Sequence, residues 1–431
     1  MERRADAGWG VVSIDIEYRT NSRVGGNHIV AITAPVIIAG AGPVGCTAAL
    51  RLAQAGIPVI LLEGQSELPE TLRASTFHPP SLDMLDELGM AKPLEAQGLV
   101  CHKYQYRDRR TGEIAEFDLS HLSADTQHPF RLQVEQWKYT RLAWQALCTQ
   151  YSKYAECHFD HSAKGVYQTA DGVEVLVWAN GQEKILRGSF LIAADGADSA
   201  IRKAVAVEFE GFTWPEKFLV ASTPFPLEEK FERLSHVNYI ADPEEWLVLL
   251  RTPTLWRVLI PTDPKIEDDA LWLSDRWIQD RLHHMAPHDR DYEIVHRTIY
   301  RVHQRVAKTY RRGRVLLAGD SAHINNPLGG MGMNGGIHDA WNLAEKLIAI
   351  HAGGDCDALL DLYDRQRRGI CVRFVQEHTI NNKRLLESKD PDVQRKRQAE
   401  LMKAAADPTL SRAFLLKTSM IQSLRDAALI Q

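Results

Sequence analysis

The stretch from Pro35 to Glu63 constrains this chain more than any other. Val36–Ala39 is a short apolar run of strand character, and it leads directly into Gly40-Ala41-Gly42-Pro43-Val44-Gly45. A helix-like run follows and stops at Gly56, a residue type that ends helices because it accepts the left-handed conformation. A second apolar run, Pro58-Val59-Ile60-Leu61-Leu62, ends at Glu63, which lies 18 residues after Gly45. Strand, glycine turn, helix, strand and terminal acid form the dinucleotide-binding fingerprint in its proper context. Each glycine has a task. Gly40 permits the tight turn, Gly42 lets a pyrophosphate approach the backbone, and Gly45 lets the helix pack on the strand. An acid at position 63 accepts hydrogen bonds from an AMP ribose with free hydroxyls, as in FAD or NAD.

A second glycine-rich segment lies far downstream, in residues 314–347: RVLLAGDSAHINNPLGGMGMNGGIHDAWNLAEKL. It opens with an apolar strand-like run from Val315, which Gly319 and Asp320 end. A loop with Pro327 and five glycines follows, and helical spacing begins at about Ile337. Bare backbone in such a loop comes close to a ligand because glycine has no Cβ to collide. The helix it feeds presents unpaired N–H groups and a positive end. Within the loop Gly330-Met331-Gly332-Met333-Asn334-Gly335 also spells G-x-G-x-x-G. It lacks an immediately preceding strand and a following strand with an acid, so it is not a second dinucleotide fold.

Between the two segments the chain reads as follows. Ser81 N-caps a helix that ends near Gly89, after the break at Pro79-Pro80. Residues 136–149 form a helix, and residues 157–194 a meander with hairpin turns at Asp171-Gly172 and Asn180-Gly181. Phe190-Leu191-Ile192-Ala193-Ala194 is apolar throughout, as a central strand should be, and runs into Asp195-Gly196. Residues 205–305 are strand-rich, with a polar helix over 268–284. Helices return over 356–387 and 392–429, the last a packed or dimer-forming helix.

The expected fold class is α/β: a Rossmann-type nucleotide domain with an interleaved mixed β-sheet substrate domain and C-terminal helices. The nucleotide domain is discontinuous, built from residues 34–100, 131–203 and 301–350. Residues 101–130 and 204–300 form the substrate domain, and 351–431 the C-terminal helical region. Residues 1–33 carry no regular pattern and no secretory signal, and are read as a disordered extension.

A formal net charge of −5 over 431 residues gives no electrostatic footprint for nucleic acid or an anionic membrane. No apolar run nears the roughly 20 residues that a spanning helix needs. The six cysteines show neither C-x-x-C nor metal-type spacing, so they read as reduced thiols of a cytoplasmic protein without a metal site.

The three motifs in this order (GAGPVG with Glu63, Asp195-Gly196, and Gly319-Asp320 with its proline and glycine loop) resemble those of the group A flavoprotein aromatic monooxygenases. That family includes para-hydroxybenzoate hydroxylase and the 3-(3-hydroxyphenyl)propionate-type hydroxylases. The resemblance spans residues 35–364. It implies that Gly40, Gly42, Gly45 and Glu63 bind the ADP half of FAD, with Arg73 and Gln136 as further contacts. Asp195 and Gly196 would form the shared FAD and NAD(P)H motif. Asp320 would hold the ribityl chain, and Pro327 with Gly330, Gly332, Met333 and Asn334 would lie along the isoalloxazine. The implied activity is FAD-dependent, NADH- or NADPH-consuming hydroxylation of a phenolic or N-heteroaromatic compound by O2 through a flavin C4a-hydroperoxide. The chain is too short for the C-terminal thioredoxin-like domain of the phenol hydroxylase branch, and the paired tyrosine relay of the family is not identifiable.

Such chemistry needs a dry site and a base or relay at the substrate hydroxyl. Catalytic roles are expected of Pro327, beside the flavin, and of His78 and Tyr239. His323 is a further candidate base, and Arg251 and Arg257 could meet a substrate carboxylate. Each of these side chains also has an ordinary reading as a hydrogen-bonded packing or surface residue. Two other functions fit the scaffold. A halogenase or reductase would share it, although the Trp256-Arg257-Val258-Leu259-Ile260-Pro261 segment only partly echoes the halogenase W-x-W-x-I-P. A non-catalytic flavin-binding sensor would bind FAD without consuming NAD(P)H.

Overall fold

The computed structural model describes residue 32, residues 34–242 and 245–376, positions 379, 380, 383 and 388, and residues 390–431. The extension read as disordered therefore lies outside the described residues, apart from Ile32.

Five parallel strands carry the nucleotide half. Their order is Val315–Leu317, Phe190–Ala193, Val36–Ala39, Val59–Leu62 and Ala155–His158, with Arg311–Arg312 added antiparallel at one edge. Val36–Ala39 and Phe190–Ala193 are buried along their whole length. That is the pattern of strands covered on both faces, and it explains why both read as continuous apolar runs. The helix Pro43–Gln54 packs against the long helix Met331–His351 and against Gln136–Cys148. The expected meander is present as three antiparallel strands, His161–Gln168, Val173–Ala179 and Gln182–Gly188.

The second unit is an eight-stranded mixed sheet. It is assembled from Lys103–Asp108 and Gly112–Asp118, four strands between Phe209 and Pro261, the long strand His296–Ala307, and His323–Ile324. The boundary drawn at residue 301 falls inside His296–Ala307, a single strand. One face of the sheet packs on the helix Asp275–Met285 around Trp256, Leu249 and Ile278. The other face is aromatic, with Tyr104, Tyr106, Phe117 and Tyr239, and Leu328 of the glycine loop joins that cluster.

Four local expectations change. Ser81 is not an N-cap. The helix Pro79–Glu87 starts three residues earlier, with His78 at the cap, and the Ser81 hydroxyl instead meets His338 Nε2 at 3.1 Å. The helix expected from Ile337 starts at Met331, and Gly330 caps it at φ 67°. Its glycines have poor helix propensity, but Gly336 is held where an added Cβ would lie 2.6 Å from Val44 Cγ2, so packing outweighs propensity. The polar helix breaks into Asp269–Trp272 and Asp275–Met285. The terminal helix is three helices, Pro391–Ala406, Pro408–Thr418 and Ile421–Ala428. Asp407 caps the second through the amides of Thr409 and Leu410, and Pro408 opens it. Leu401, Leu415 and Ile421 bury these helices against the aromatic face.

The glycine turn tests the packing directly. A Cβ on Gly45 would lie 1.9 Å from the Gly40 carbonyl oxygen, whereas one on Gly42 meets nothing within 4 Å. Gly45→Ala should cost about 3 kcal/mol of folding stability, and Gly42→Ala less than about 1 kcal/mol. Denaturant titration of both variants measures the contrast.

Candidate functional site

Ligands of open parallel sheets bind beyond the carboxyl ends of the strands. The three motifs meet there. Gly40, at φ 100°, lies so close to the neighbouring strand end that an added Cβ would sit 2.3 Å from the Ala194 carbonyl oxygen. The amide of Ala194 donates to Ala39, and that of Ala318 to Ala193, so the turns after three adjacent strands are in register. Arg202 then ties the second loop to the third. Its guanidinium donates to the Ser321 carbonyl and to the Ala197 carbonyl, both at 2.9 Å.

Glu63 closes the fingerprint. One carboxylate oxygen accepts from the Ala41 amide at 3.1 Å and the other from Gln65 at 3.0 Å, which leaves lone pairs free for a ribose. Arg73 is exposed, and it lies near enough to Asp320 to act on its carboxyl. The Gln136 amide donates to the Ala74 carbonyl at 3.0 Å, which sets the Gln136–Cys148 helix beside the Arg73 segment. Asp195 spends Oδ2 on the Ile201 amide at 3.1 Å, while its buried Oδ1 has no partner among the described residues. Gly196, at φ 84°, faces open space.

Asp320 is accessible to solvent yet enclosed by protein on most sides. Burial lifts its carboxyl above the ordinary range, against the pull of His323 and Arg73. Together they describe a carboxyl that solvent reaches although protein atoms are dense around it. Open backbone at Gly42, the bare Oδ1 of Asp195 and an enclosed but reachable Asp320 fit a long polar ligand such as FAD. At the far end lies the start of the Met331–His351 helix, which no side chain caps. The unpaired N–H groups of its first turn favour negative charge. Pro327 is exposed here, and its carbonyl accepts from Gly330 at 3.1 Å. Gly332 and Met333 are half-buried in the first turn, beside the unpartnered Oδ1 of Asn325.

Other expected residues support the loop. The Asn334 side chain is buried and fully engaged. Its oxygen accepts from the His78 amide at 2.9 Å, and its nitrogen donates to the Thr76 and Gly330 carbonyls. His78 is buried, with Nε2 2.8 Å from the Gly329 carbonyl. A carbonyl only accepts, so Nε2 carries the proton. Burial, and then the charge of Arg131, push the imidazole well below its ordinary pKa, so it is neutral at pH 7. Arg257 donates to the Arg73 and Leu72 carbonyls and to Ser75, which fixes the Arg73 segment; both terminal nitrogens are taken. Arg251 is half-buried at a strand end, its cation 5.7 Å from the Trp256 ring.

His323 belongs to a different network. Its Nε2 meets Asp339 Oδ2 at 2.7 Å, and Arg367 Nε donates to Asp339 Oδ1 at 2.7 Å. Asp339 also accepts from the Gly319 amide at 3.1 Å, so this buried carboxylate holds the residue preceding Asp320. Burial opposes its charge, but His323 and Arg367 bring Asp339 down to about 2. Sequence reasoning missed Asp339 and Arg367, because a charge inside a helical repeat reads as its solvated face. It also missed Arg131, Tyr104 and Tyr106. Among the described residues no His, Cys, Asp and Glu cluster could hold a metal ion, and no helix is long and apolar enough to cross a membrane.

Two outcomes follow. Asp320→Ala should weaken FAD retention about 10- to 100-fold, the scale of a lost hydrogen bond to a charged group; flavin absorbance per polypeptide checks it. Asp339→Asn should lose about 3–5 kcal/mol at pH 7, since it leaves buried cations unpaired. The wild-type carboxylate contributes stability above its unfolded value near 4. That contribution, about 2 kcal/mol, is lost as pH falls from there towards 2, and denaturation across that range should show a steeper acid limb in wild type than in Asp339→Asn.

Comparison with known proteins agrees with this geometry. The FAD binding domain family matches residues 33–378. Para-nitrophenol 4-monooxygenase of Pseudomonas sp. (strain WBC-3) is 34% identical over 394 residues, 90% of this chain and 96% of that protein. 6-Hydroxy-3-succinoylpyridine 3-monooxygenase HspB of Pseudomonas putida (strain DSM 28022 / S16) is 32% identical, over 83% of this chain and 90% of its own. The crystal structure of p-nitrophenol 4-monooxygenase PnpA from Pseudomonas putida DLL-E4 superposes with a TM-score of 0.84 at 30% identity, covering 91% of this chain and 98% of that one. A match over most of the sequence, three motif loops converging on one cleft and a shared architecture lead to one assignment: this chain belongs to the FAD binding domain family, as a flavin-dependent aromatic monooxygenase.

Proposed function

We propose that the substrate is a single-ring phenol or hydroxylated N-heteroaromatic, bound between the glycine loop and the aromatic face of the eight-stranded sheet. The observation that carries this is Leu328. It follows Pro327 in the loop that faces the flavin position, and it packs into the same cluster as Tyr104, Tyr106 and Tyr239. Relatives matched along nearly their whole length act, by name, on a nitrophenol and on a hydroxypyridine.

FAD, reduced by NADH or NADPH, supplies with O2 an electrophilic oxygen for the ring. The chain's own residues do the rest. Glu63, Arg73, Gln136, Asp195 and Asp320 bind and orient the cofactor. The free N–H groups after Gly330 favour negative charge on its ring. The aromatic face, closed over by the C-terminal helices, excludes water. Tyr239 is proposed to meet the substrate hydroxyl. His78, with Nε2 committed to Gly329, is proposed as a positioning residue for the loop rather than as a base.

Purified, FAD-loaded protein should oxidise NADH or NADPH faster with such a phenol than without, with hydroxylated product matching the reductant consumed and little H2O2 trapped. Reductant loss that appears entirely as H2O2 across a panel of phenols and hydroxypyridines would overturn the reading.

A further inference from the structure

Arg131 is a buried cation that the fold leaves unpaid. It opens the strand Arg131–Gln133, is 1% exposed, and its Nε and Nη1 have no hydrogen-bond partner among the described residues. Most buried guanidinium groups in this molecule meet an anion or a row of carbonyls, as Arg367 does at Asp339 and Arg257 at the Leu72 and Arg73 carbonyls. The groups that act on Arg131 are Tyr239, through a hydrogen bond, Tyr104 and Cys101. None is a carboxylate. Burial pushes Tyr104 up to about 12 and Cys101 to about 11, so neither supplies a negative charge at pH 7. The guanidinium carbon lies 4.1 Å from the Tyr104 ring centroid, which recovers only part of the cost of desolvating a cation.

Its position is as telling as its isolation. The strand pairs antiparallel with Thr76–Phe77, so the register carried one residue further sets His78 opposite Arg131. His78 in turn holds the Gly329 carbonyl. On its other side Arg131 faces Tyr104 and Tyr239, whose strands belong to the eight-stranded sheet. Arg131 thus sits at the seam between the glycine loop and the aromatic face, where the proposed function places the substrate.

We propose that Arg131, with the Tyr239 hydroxyl beside it, binds the ionised oxygen of the substrate phenol and so selects acidic phenols, taken up as phenolates. The inference rests on the proposed function for its choice of ligand. A guanidinium with two free donors matches an oxyanion. A buried cation favours the charged form of its partner, and the phenol proton leaves to solvent. The ring that results is more electron-rich, as attack on an electrophilic oxygen requires.

The probe is 4-nitrophenol, whose colour reports its own ionisation, with 4-cyanophenol as a second acidic phenol. Titrated with FAD-loaded wild-type protein, without reductant, bound 4-nitrophenol should ionise at least about one pH unit below the free compound. An equal or higher midpoint overturns the proposal, as does failure of both phenols to bind. Arg131→Gln, at unchanged flavin content, should abolish the shift and raise KM about 10- to 100-fold with a smaller change in kcat. Arg131→Lys should keep the shift while losing part of the affinity. An Arg131→Gln protein with the wild-type midpoint and KM overturns the proposal. If that variant fails to fold, the wild-type midpoint and Arg131→Lys decide. Because the titration needs no turnover, a wild type that binds phenolate but hydroxylates nothing would sink the proposed function and leave this inference standing.

Discussion

The structure depends on how closely its backbones approach one another at the ends of three parallel strands. Gly40 leaves no room for a side chain beside Ala194, Gly45 none beside Gly40, and Gly319 and Gly336 none beside Val44. These contacts bring the first helix down onto its strand and the Met331–His351 helix down onto the first. Only then do Asp195, Asp320 and the glycine loop face one another. Hydrophobic burial drives the two sheets to form, but it is indifferent to a shift of an ångström. The cleft is not, because its polar groups must lie at hydrogen-bonding distance from one ligand.

A charged network maintains that alignment in the middle of the molecule. Asp339 gathers His323, Arg367 and the Gly319 amide from three separate elements. Burying three ionisable groups is expensive unless they satisfy one another. Here they do, and the geometry they enforce is that of the turn holding Asp320. Arg202 repeats the device on a smaller scale between the second and third loops.

The nucleotide half was legible because its chemistry is local. A strand, a glycine turn, a helix and an acid lie within thirty residues, and each glycine has a steric reason that needs no tertiary information. Asp195-Gly196 and Gly319-Asp320 were legible as the ends of apolar strands. The start of the Met331 helix was misplaced because glycine propensity argues against a helix that packing enforces. Ser81 was misread because a serine after two prolines resembles a cap, whereas His78 already fills that place. The substrate side was opaque for a different reason. Tyr104, Tyr106, Arg131 and Tyr239 come from three strands of two different sheets, and no spacing along the chain records their meeting. His323 was visible as a titratable group, but its partners Asp339 and Arg367 lie 16 and 44 residues away, so its structural role was not.

The aromatic face is completed from the far end of the chain. Phe414 stacks on Phe117 with ring centroids 4.3 Å apart, and the Tyr104 hydroxyl meets Thr418 at 3.0 Å. Strands made early in synthesis therefore wait for helices made much later. Without those helices the sheet would carry a bare patch of tyrosine and phenylalanine. The cofactor half is complete earlier, once Arg367 has joined Asp339 behind the turn that holds Asp320, so the flavin cleft can take its shape before the chamber beside it is sealed.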